Sequence, residues 1–361
     1  MTPRPAVIAL AAIGALARGV QAQDAEPAPR PAAAAASAQN NPDAGEITPE
    51  LDAAVTKGLA FLAAQQMEDG SFGEGRYGRN VAVTALAGIA FMADGHVPGR
   101  GEFGINVGKA LDYVLANCTE SGLIASDAAN GPMYGHGFSA LFLGEVYGMT
   151  ASLNDPALSD RVHDALVRAV HLIEKTQNEQ GGWRYNPVPY DADISVTICE
   201  IMALRSARNA GLEVAKSTID RAVQYVRQCQ NPDGGFKYQL ESGQSGWPRS
   251  AAGVASLFYA GIYEDNAIDR GVEYLLREAL PGVANPPRAH YFYGHYYAVQ
   301  AMYLAGGETW GRWWPAIRRE LIDTQLPDGS WEDRSVGNSY ATAMSLIVLQ
   351  MPKRYLPIFQ K

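Results

Sequence analysis

Hydrophobic positions along the chain come in two alternating textures. In the first, apolar residues keep helical spacing inside charged stretches, as with Leu59, Phe61 and Leu62 or Val223, Tyr225 and Val226, which marks a helix with one wet face. In the second, apolar character runs all the way round: Val81 to Phe91, Phe138 to Tyr147, Ile194 to Leu204, Ala251 to Tyr259, Tyr296 to Leu304 and Ala341 to Leu349. These segments hold few charges and many alanines, glycines and serines, so they predict helices covered on both sides. Ala298, Ala301 and Ala305, or Ala251, Gly253 and Ala255, leave room for neighbouring backbones to come close. The alternation predicts six helical hairpins, each with a charged first helix outside and an apolar second helix inside.

A short phrase punctuates the alternation: glutamine, three residues, glycine, one residue, an aromatic. Sharp copies are Gln66-Gly70-Phe72, Gln177-Gly181-Trp183, Gln230-Gly234-Phe236 and Gln325-Gly329-Trp331, and degraded copies are read at Asn117-Ser121-Leu123 and Glu278-Gly282-Ala284. Their spacing of roughly fifty residues is that of a repeat architecture. Each phrase follows a first helix and precedes turn residues such as Asn231-Pro232-Asp233. It is therefore expected to end that helix, with the glycine left-handed, the glutamine bonding free backbone groups and the aromatic packing back on its hairpin. Six hairpins without a polar capping repeat predict an all-α fold, a closed α/α toroid of inner and outer helix rings, with an open solenoid as the structural alternative.

The phrases GLAFLAAQQMEDGSF, AVQYVRQCQNPDGGF and RRELIDTQLPDGSW resemble the glutamine-tryptophan repeats of squalene and hopene cyclases and are similar to those of protein prenyltransferase β subunits. The resemblance covers about Leu51 to Pro352 and implies a single toroid, whereas the cyclases it resembles have two helical domains. It implies an apolar or isoprenoid ligand and a cyclase-like isomerase reaction without a soluble cofactor. It also implies an acid: Asp191-Ala192-Asp193-Ile194 stands where those cyclases carry Asp-x-Asp-Asp, with Asp193 at the middle position and Ile194 replacing the last aspartate. The prenyltransferase zinc pair needs an acid two residues before a cysteine, and Ala116, Thr197 and Arg227 occupy those places before Cys118, Cys199 and Cys229. Neither a metal nor a zinc-dependent transfer is expected.

A net charge of −9 without a basic stripe argues against nucleic acid as a partner. At the N-terminus, Arg4, an apolar run from Ala6 to Ala17 and Val20-Gln21-Ala22 read as an export signal over residues 1–22. An Ala/Pro-rich linker over 23–45 and the toroid over 46–361 follow, so the expected location is periplasmic or secreted. An uncleaved anchor is the competing reading. The three cysteines show no metal-ligand spacing and read as buried small hydrophobes, one pair of which could bridge outside the cytoplasm.

The polar stretches before the inner helices gather at one mouth of a toroid, where helix N-termini favour negative charge. They supply Asp191 and Asp193, as acids or as N-cap and first-turn residues of the third inner helix. They also supply His136 and His295, each ending a Tyr-Gly-His tripeptide in hairpins three apart, which could face one another over a ligand and act as catalytic acid and base, or simply bond a neighbouring backbone or tyrosine. Tyr134, Trp183, Tyr190, Trp247, Tyr293 and Tyr340 are the expected ligand-contacting aromatics, and Arg249 could hold a carboxylate or pair with Asp191 or Asp193. Three readings stay open: an isoprenoid-binding protein with cyclase-like isomerase activity, a non-catalytic toroid that holds a protein segment, and a polysaccharide-active enzyme that recruits Glu145 or Glu200 as a second carboxylate. Peripheral membrane contact is compatible with the first.

Overall fold

The computed structural model describes residues 45–126, 131–150, 153, 155–241, 243–282 and 289–360. The export signal and nearly all of the linker read from the sequence lie outside the described residues. Among the described residues there are twelve α-helices and no named strand. The first helices of the hairpins are α1 (Pro49–Gln65), α3 (Gly104–Ala116), α5 (Pro156–Thr176), α7 (Lys216–Gln228), α9 (Asn266–Glu278) and α11 (Gly307–Thr324). The second helices are α2 (Val81–Met92), α4 (Met133–Thr150), α6 (Ile194–Asn209), α8 (Trp247–Tyr259), α10 (Tyr291–Ala305) and α12 (Asn338–Leu349).

Burial follows the two textures. The outer helix α9 buries one stripe, Ala267, Ile268, Gly271, Val272, Tyr274 and Leu275, whereas α2 buries every residue except Ala82. A helix with no wet face needs neighbours on all sides, and the inner helices provide them for one another: α2 packs on α4, α4 on α6, α6 on α8, α8 on α10, α10 on α12, and α12 back on α2. The ring is closed, and the solenoid alternative is excluded.

The glutamines tie this ring together from outside. Each sharp copy donates Nε2 both to the glycine carbonyl of its own loop and to a carbonyl near the start of the next outer helix: Gln66 to Gly70 O (3.0 Å) and Asn106 O (2.9 Å), Gln177 to Gly181 O (2.8 Å) and Thr218 O (2.9 Å), Gln230 to Gly234 O (3.0 Å) and Ala267 O (2.8 Å). Gln325 bonds Gly329 O and Ala54 O, both at 2.9 Å, and so joins hairpin six to hairpin one. The aromatics turn back as expected, with Trp183 Nε1 on Ile173 O (2.7 Å) and Trp331 Nε1 on Leu321 O (2.9 Å). Gly181 has φ +99°, and a Cβ there would strike the Arg221 carbonyl oxygen, so two constraints select glycine at once.

One register differs from expectation. In hairpin two the left-handed residue is Gly122 and the paired positions are Cys118 and Ile124, so the degraded phrase is Cys118-Gly122-Ile124 rather than Asn117-Ser121-Leu123. With the glutamine replaced, only the glycine geometry and the apolar anchor remain to mark it. In hairpin five Gly282 keeps its positive φ of +81°, and its N–H donates to Glu320 Oε2 at 2.8 Å; Ala284 lies outside the described residues.

Gln177 is buried and accepts from Arg221 Nε at 2.8 Å besides making its two donated bonds. Gln177→Ala leaves two buried carbonyls under-satisfied and should cost about 2–4 kcal/mol in urea unfolding. Lys216→Ala, which removes an exposed pair with Asp220, should cost about 0.5 kcal/mol or less. Equal effects of the two substitutions would count against the glutamine as the inter-hairpin tie.

Candidate functional site

The inner helices all start at one end, and the loops feeding them form the mouth. Asn80 Oδ1 caps α2 through Ala82 N (2.9 Å) and Val83 N (3.2 Å). At α12 the cap comes from hairpin one: Glu74 Oε1 accepts from Ser339 N at 2.8 Å and Oε2 from Asn338 N at 3.0 Å, which staples the ring shut at the mouth. Asp193 caps α6, its Oδ1 accepting from Ser195 N (2.8 Å) and Val196 N (2.9 Å).

The rest of the Asp193 carboxyl is unusual. Its side chain is fully buried, and Oδ2 makes no close hydrogen bond, with Arg184 Nε 3.6 Å away and the Tyr238 hydroxyl as its further neighbour. Burial pushes the carboxyl up to about 6 against the pull of the capping amides, the Tyr238 hydroxyl and Arg184. Arg184 itself pairs with Asp191 and lies over the rings of Tyr185 (5.1 Å) and Tyr238 (5.9 Å), whose hydroxyls bond one another. Tyr134 of α4 packs at a tilt against Tyr185 with centroids 6.1 Å apart. The mouth of hairpins two to four is therefore a knot of two aspartates, one arginine and three tyrosines.

Arg184 and Tyr238 were not anticipated from the sequence. A signal for them exists: Trp183-Arg184-Tyr185 and Phe236-Lys237-Tyr238 repeat an aromatic, a base and a tyrosine at the same place in adjacent hairpins. Arg249 was expected to hold a carboxylate, and it instead donates to two backbone carbonyls, Phe236 O at 3.0 Å and Gln244 O at 2.6 Å.

The histidines do not meet. His136 is buried with Nδ1 accepting from Ile124 N (3.2 Å) and Nε2 facing Ala169 O of α5 (3.3 Å), and burial lowers it to about 4. His295 is packed against Trp247 (4.9 Å), Tyr291 (4.4 Å) and Trp313 of α11 (5.8 Å), and burial lowers it to about 3. Both rings are neutral near pH 7, and both touch the outer ring of helices rather than the axis. Trp183 and Trp247 are likewise buried, Tyr134, Tyr293 and Tyr340 are half-buried, and Tyr190 is 87% exposed on the rim.

Below the mouth the axis is filled by side chains. Tyr293 Oη donates to Ser195 O across the ring at 3.0 Å, Cys199 Sγ lies 3.2 Å from Tyr297 Oη, and Tyr296 packs on Phe138 (5.9 Å) and Tyr297 (4.8 Å). The carboxylates considered as partners for Asp193 lie deeper. Glu200 is roughly 10 Å further along α6 by helical rise, buried, with both oxygens unpartnered, and held well above the usual carboxylate range by that burial. Glu145 accepts from Ser206 Oγ (2.6 Å) and Ile358 N (3.2 Å), and burial raises it to about 7. Among the described residues no group of three or more His, Cys, Asp or Glu is arranged to hold a metal ion.

Part of the ring matches a known family. Residues 144–284 match the squalene-hopene cyclase C-terminal domain. This span runs from the second half of α4 through α9 and includes Arg184, Tyr185, Asp191, Asp193 and Tyr238. Among solved structures, a variant of the type II terpene cyclase MstE from Scytonema in complex with its product, merosterolic acid A, is 15% identical, with 84% of this chain and 97% of that chain covered and a TM-score of 0.60. A variant of the α-1,6-mannanase GH76A from Salegentibacter in complex with α-1,6-mannotriose is 7% identical, covering 83% and 98%, with a TM-score of 0.63. A protein from Actinoplanes is 16% identical, covering 84% and 99%, at 0.58. No curated protein sequence matches the chain. At these identities the structural likeness establishes the α/α toroid and nothing finer.

Asp193 takes its proton at about 6 in the fold against 3.8 when free. The folded state thus binds that proton more tightly, and the stability it brings is full below about pH 3.8 and lost as pH rises through 6. Asp193→Asn keeps a good cap and should raise the thermal midpoint at pH 8, the gain shrinking towards pH 4. A gain that does not change with pH, or a loss at pH 8, would refute a buried, proton-hungry carboxyl.

Proposed function

We propose that this protein is a binding module built on the cyclase-type toroid, engaging a partner at its mouth and carrying out no cyclisation. The filled axis supports this most directly. An isoprenoid folded for cyclisation needs an interior chamber beside the acid, and here Tyr293, Tyr296, Tyr297 and Phe138 occupy that place with contacts that cross the ring. The acid is also poorly equipped. Protonating an alkene demands a strong acid kept protonated in a dry site, whereas Asp193 spends one oxygen on the α6 cap and turns the other towards a guanidinium.

The mouth has features that suit a protein segment. Val188 and Tyr190 stand 53% and 87% exposed on the loop that carries Asp191, next to the Arg184 knot, so apolar, aromatic and charged contacts are available within one short stretch. In this reading residues 1–22 direct export and the module works in the periplasm or outside the cell. A second reading, an isomerase that takes an isoprenoid with Asp193 as its acid, draws on one observation: a buried carboxyl with a raised proton affinity at the position matching the middle aspartate of the cyclase motif. The polysaccharide reading is weaker, because Asp191 is committed to Arg184 and the two deeper glutamates lie far down the ring.

The purified protein incubated with squalene, followed by mass spectrometry of an organic extract, separates the first two readings. Unchanged squalene in both the parent and Asp193→Asn is expected. A cyclised product made by the parent and absent from Asp193→Asn would overturn the binding-module reading in favour of the isomerase.

A further inference from the structure

The floor of the toroid is built differently from its mouth. Towards their C-terminal ends four successive inner helices bury polar side chains, among them Glu145 on α4, Ser206 on α6, Tyr259 on α8 and Gln300 on α10. Ser206 Oγ donates to Glu145 Oε1 at 2.6 Å, the Tyr259 hydroxyl donates to Gln300 Oε1, and Gln300 Nε2 donates to Tyr296 O at 2.6 Å. That leaves Glu145 Oε2, which accepts from the main-chain N–H of Ile358 at 3.2 Å.

Ile358 belongs to a segment that crosses the floor. After α12 the chain turns through Met351–Lys353, where Gln350 Nε2 on Ala90 O (2.9 Å) and the Lys353–Asp94 pair fix it at one side of the ring. It then reaches α4 and α6 on the far side, burying Leu356, Ile358 and Phe359 to 1% exposure or less. Its own backbone bonds, Phe359 N to Leu356 O and Gln360 N to Pro357 O, are internal, as is Gln360 Nε2 to Arg354 O. Among the described residues, Glu145 is thus the one hydrogen-bond partner that the barrel gives to Leu356–Phe359. A carboxylate that accepts a main-chain N–H makes a charge-assisted bond that depends on no particular side chain, and the apolar residues to either side add burial.

We propose that the toroid floor is a peptide-binding seat, with Glu145 as its main-chain anchor, and that Leu356–Phe359 is a detachable plug occupying this seat in cis. The ligand class is an apolar segment bearing a free main-chain N–H, and the occupant is the chain's own C-terminus. The seat does not depend on what the mouth binds.

Lys353-Arg354 precedes the plug and offers trypsin a cut between the anchored turn and the seated residues. The test uses the full chain, the chain ended at Arg354 and a synthetic peptide of residues 355–361. The shortened chain should keep the helical circular dichroism of the full chain and take up an anilinonaphthalene dye that the full chain excludes. Added peptide should displace the dye saturably. Glu145→Ala in the shortened chain should weaken the peptide about tenfold, the loss expected for one charge-assisted bond, and in the full chain it should speed tryptic release of the C-terminus. Loss of helix on shortening would overturn the proposal, since a plug is separable from the fold. So would dye uptake no greater than that of the full chain, or a peptide that fails to displace the dye.

Discussion

Everything in this molecule follows from six helices that have no face fit for water. A helix apolar all round is stable only when neighbours cover each side, and α2, α4, α6, α8, α10 and α12 cover one another by closing into a ring, with the outer helices behind them. Closure needs a fixed angular step between hairpins, and the glutamine side chain sets it by reaching from its own loop to a carbonyl near the start of the next outer helix. Gln325 on Ala54 and Glu74 on the α12 N-terminus repeat that step across the seam. The first and last hairpins thereby become neighbours without any special joining element.

This architecture was legible in the sequence because it is periodic. The two apolar textures gave the two rings, and the repeated phrase gave the hairpin count. The degraded copy in hairpin two was misread by one residue, since Cys118 stands where the glutamine should be and the glycine is the surviving mark. The site was much harder to read. On a helix that is apolar all round, no amphipathic stripe says which side chain faces the axis, and so the opposed Tyr-Gly-His tripeptides suggested a meeting of histidines that in fact point outward to Ala169 and Trp313. Opposed repeats do not make opposed side chains.

Three carboxyls inside the inner ring carry the electrostatic cost of the fold, and each is handled differently. Asp193 offsets burial with helix-capping amides and a nearby arginine, Glu145 with a serine and the main chain of the C-terminal segment, and Glu200 with nothing but its own proton. The first two are therefore tied to pieces that meet the ring from outside, the mouth loop and the tail. Glu200 alone has no such tie. The two ends of the axis are closed by polar contacts around an apolar, aromatic middle.

The same toroid carries a terpene cyclase in one relative and a mannanase in another, at 15% and 7% identity to this chain, so the ring itself selects no chemistry. What can select it is the volume of the side chains pointing inward. In this chain α10 places tyrosines at 293, 296 and 297, three of them on the surface that faces α4 and α6. They contact Ser195, Cys199 and Met202 of α6 and Phe138 of α4, so the inward side of α10 is taken up by aromatic side chains. The repeat that builds the ring can stay the same while the inward side chains differ, so likeness in the hairpins carries no chemistry with it.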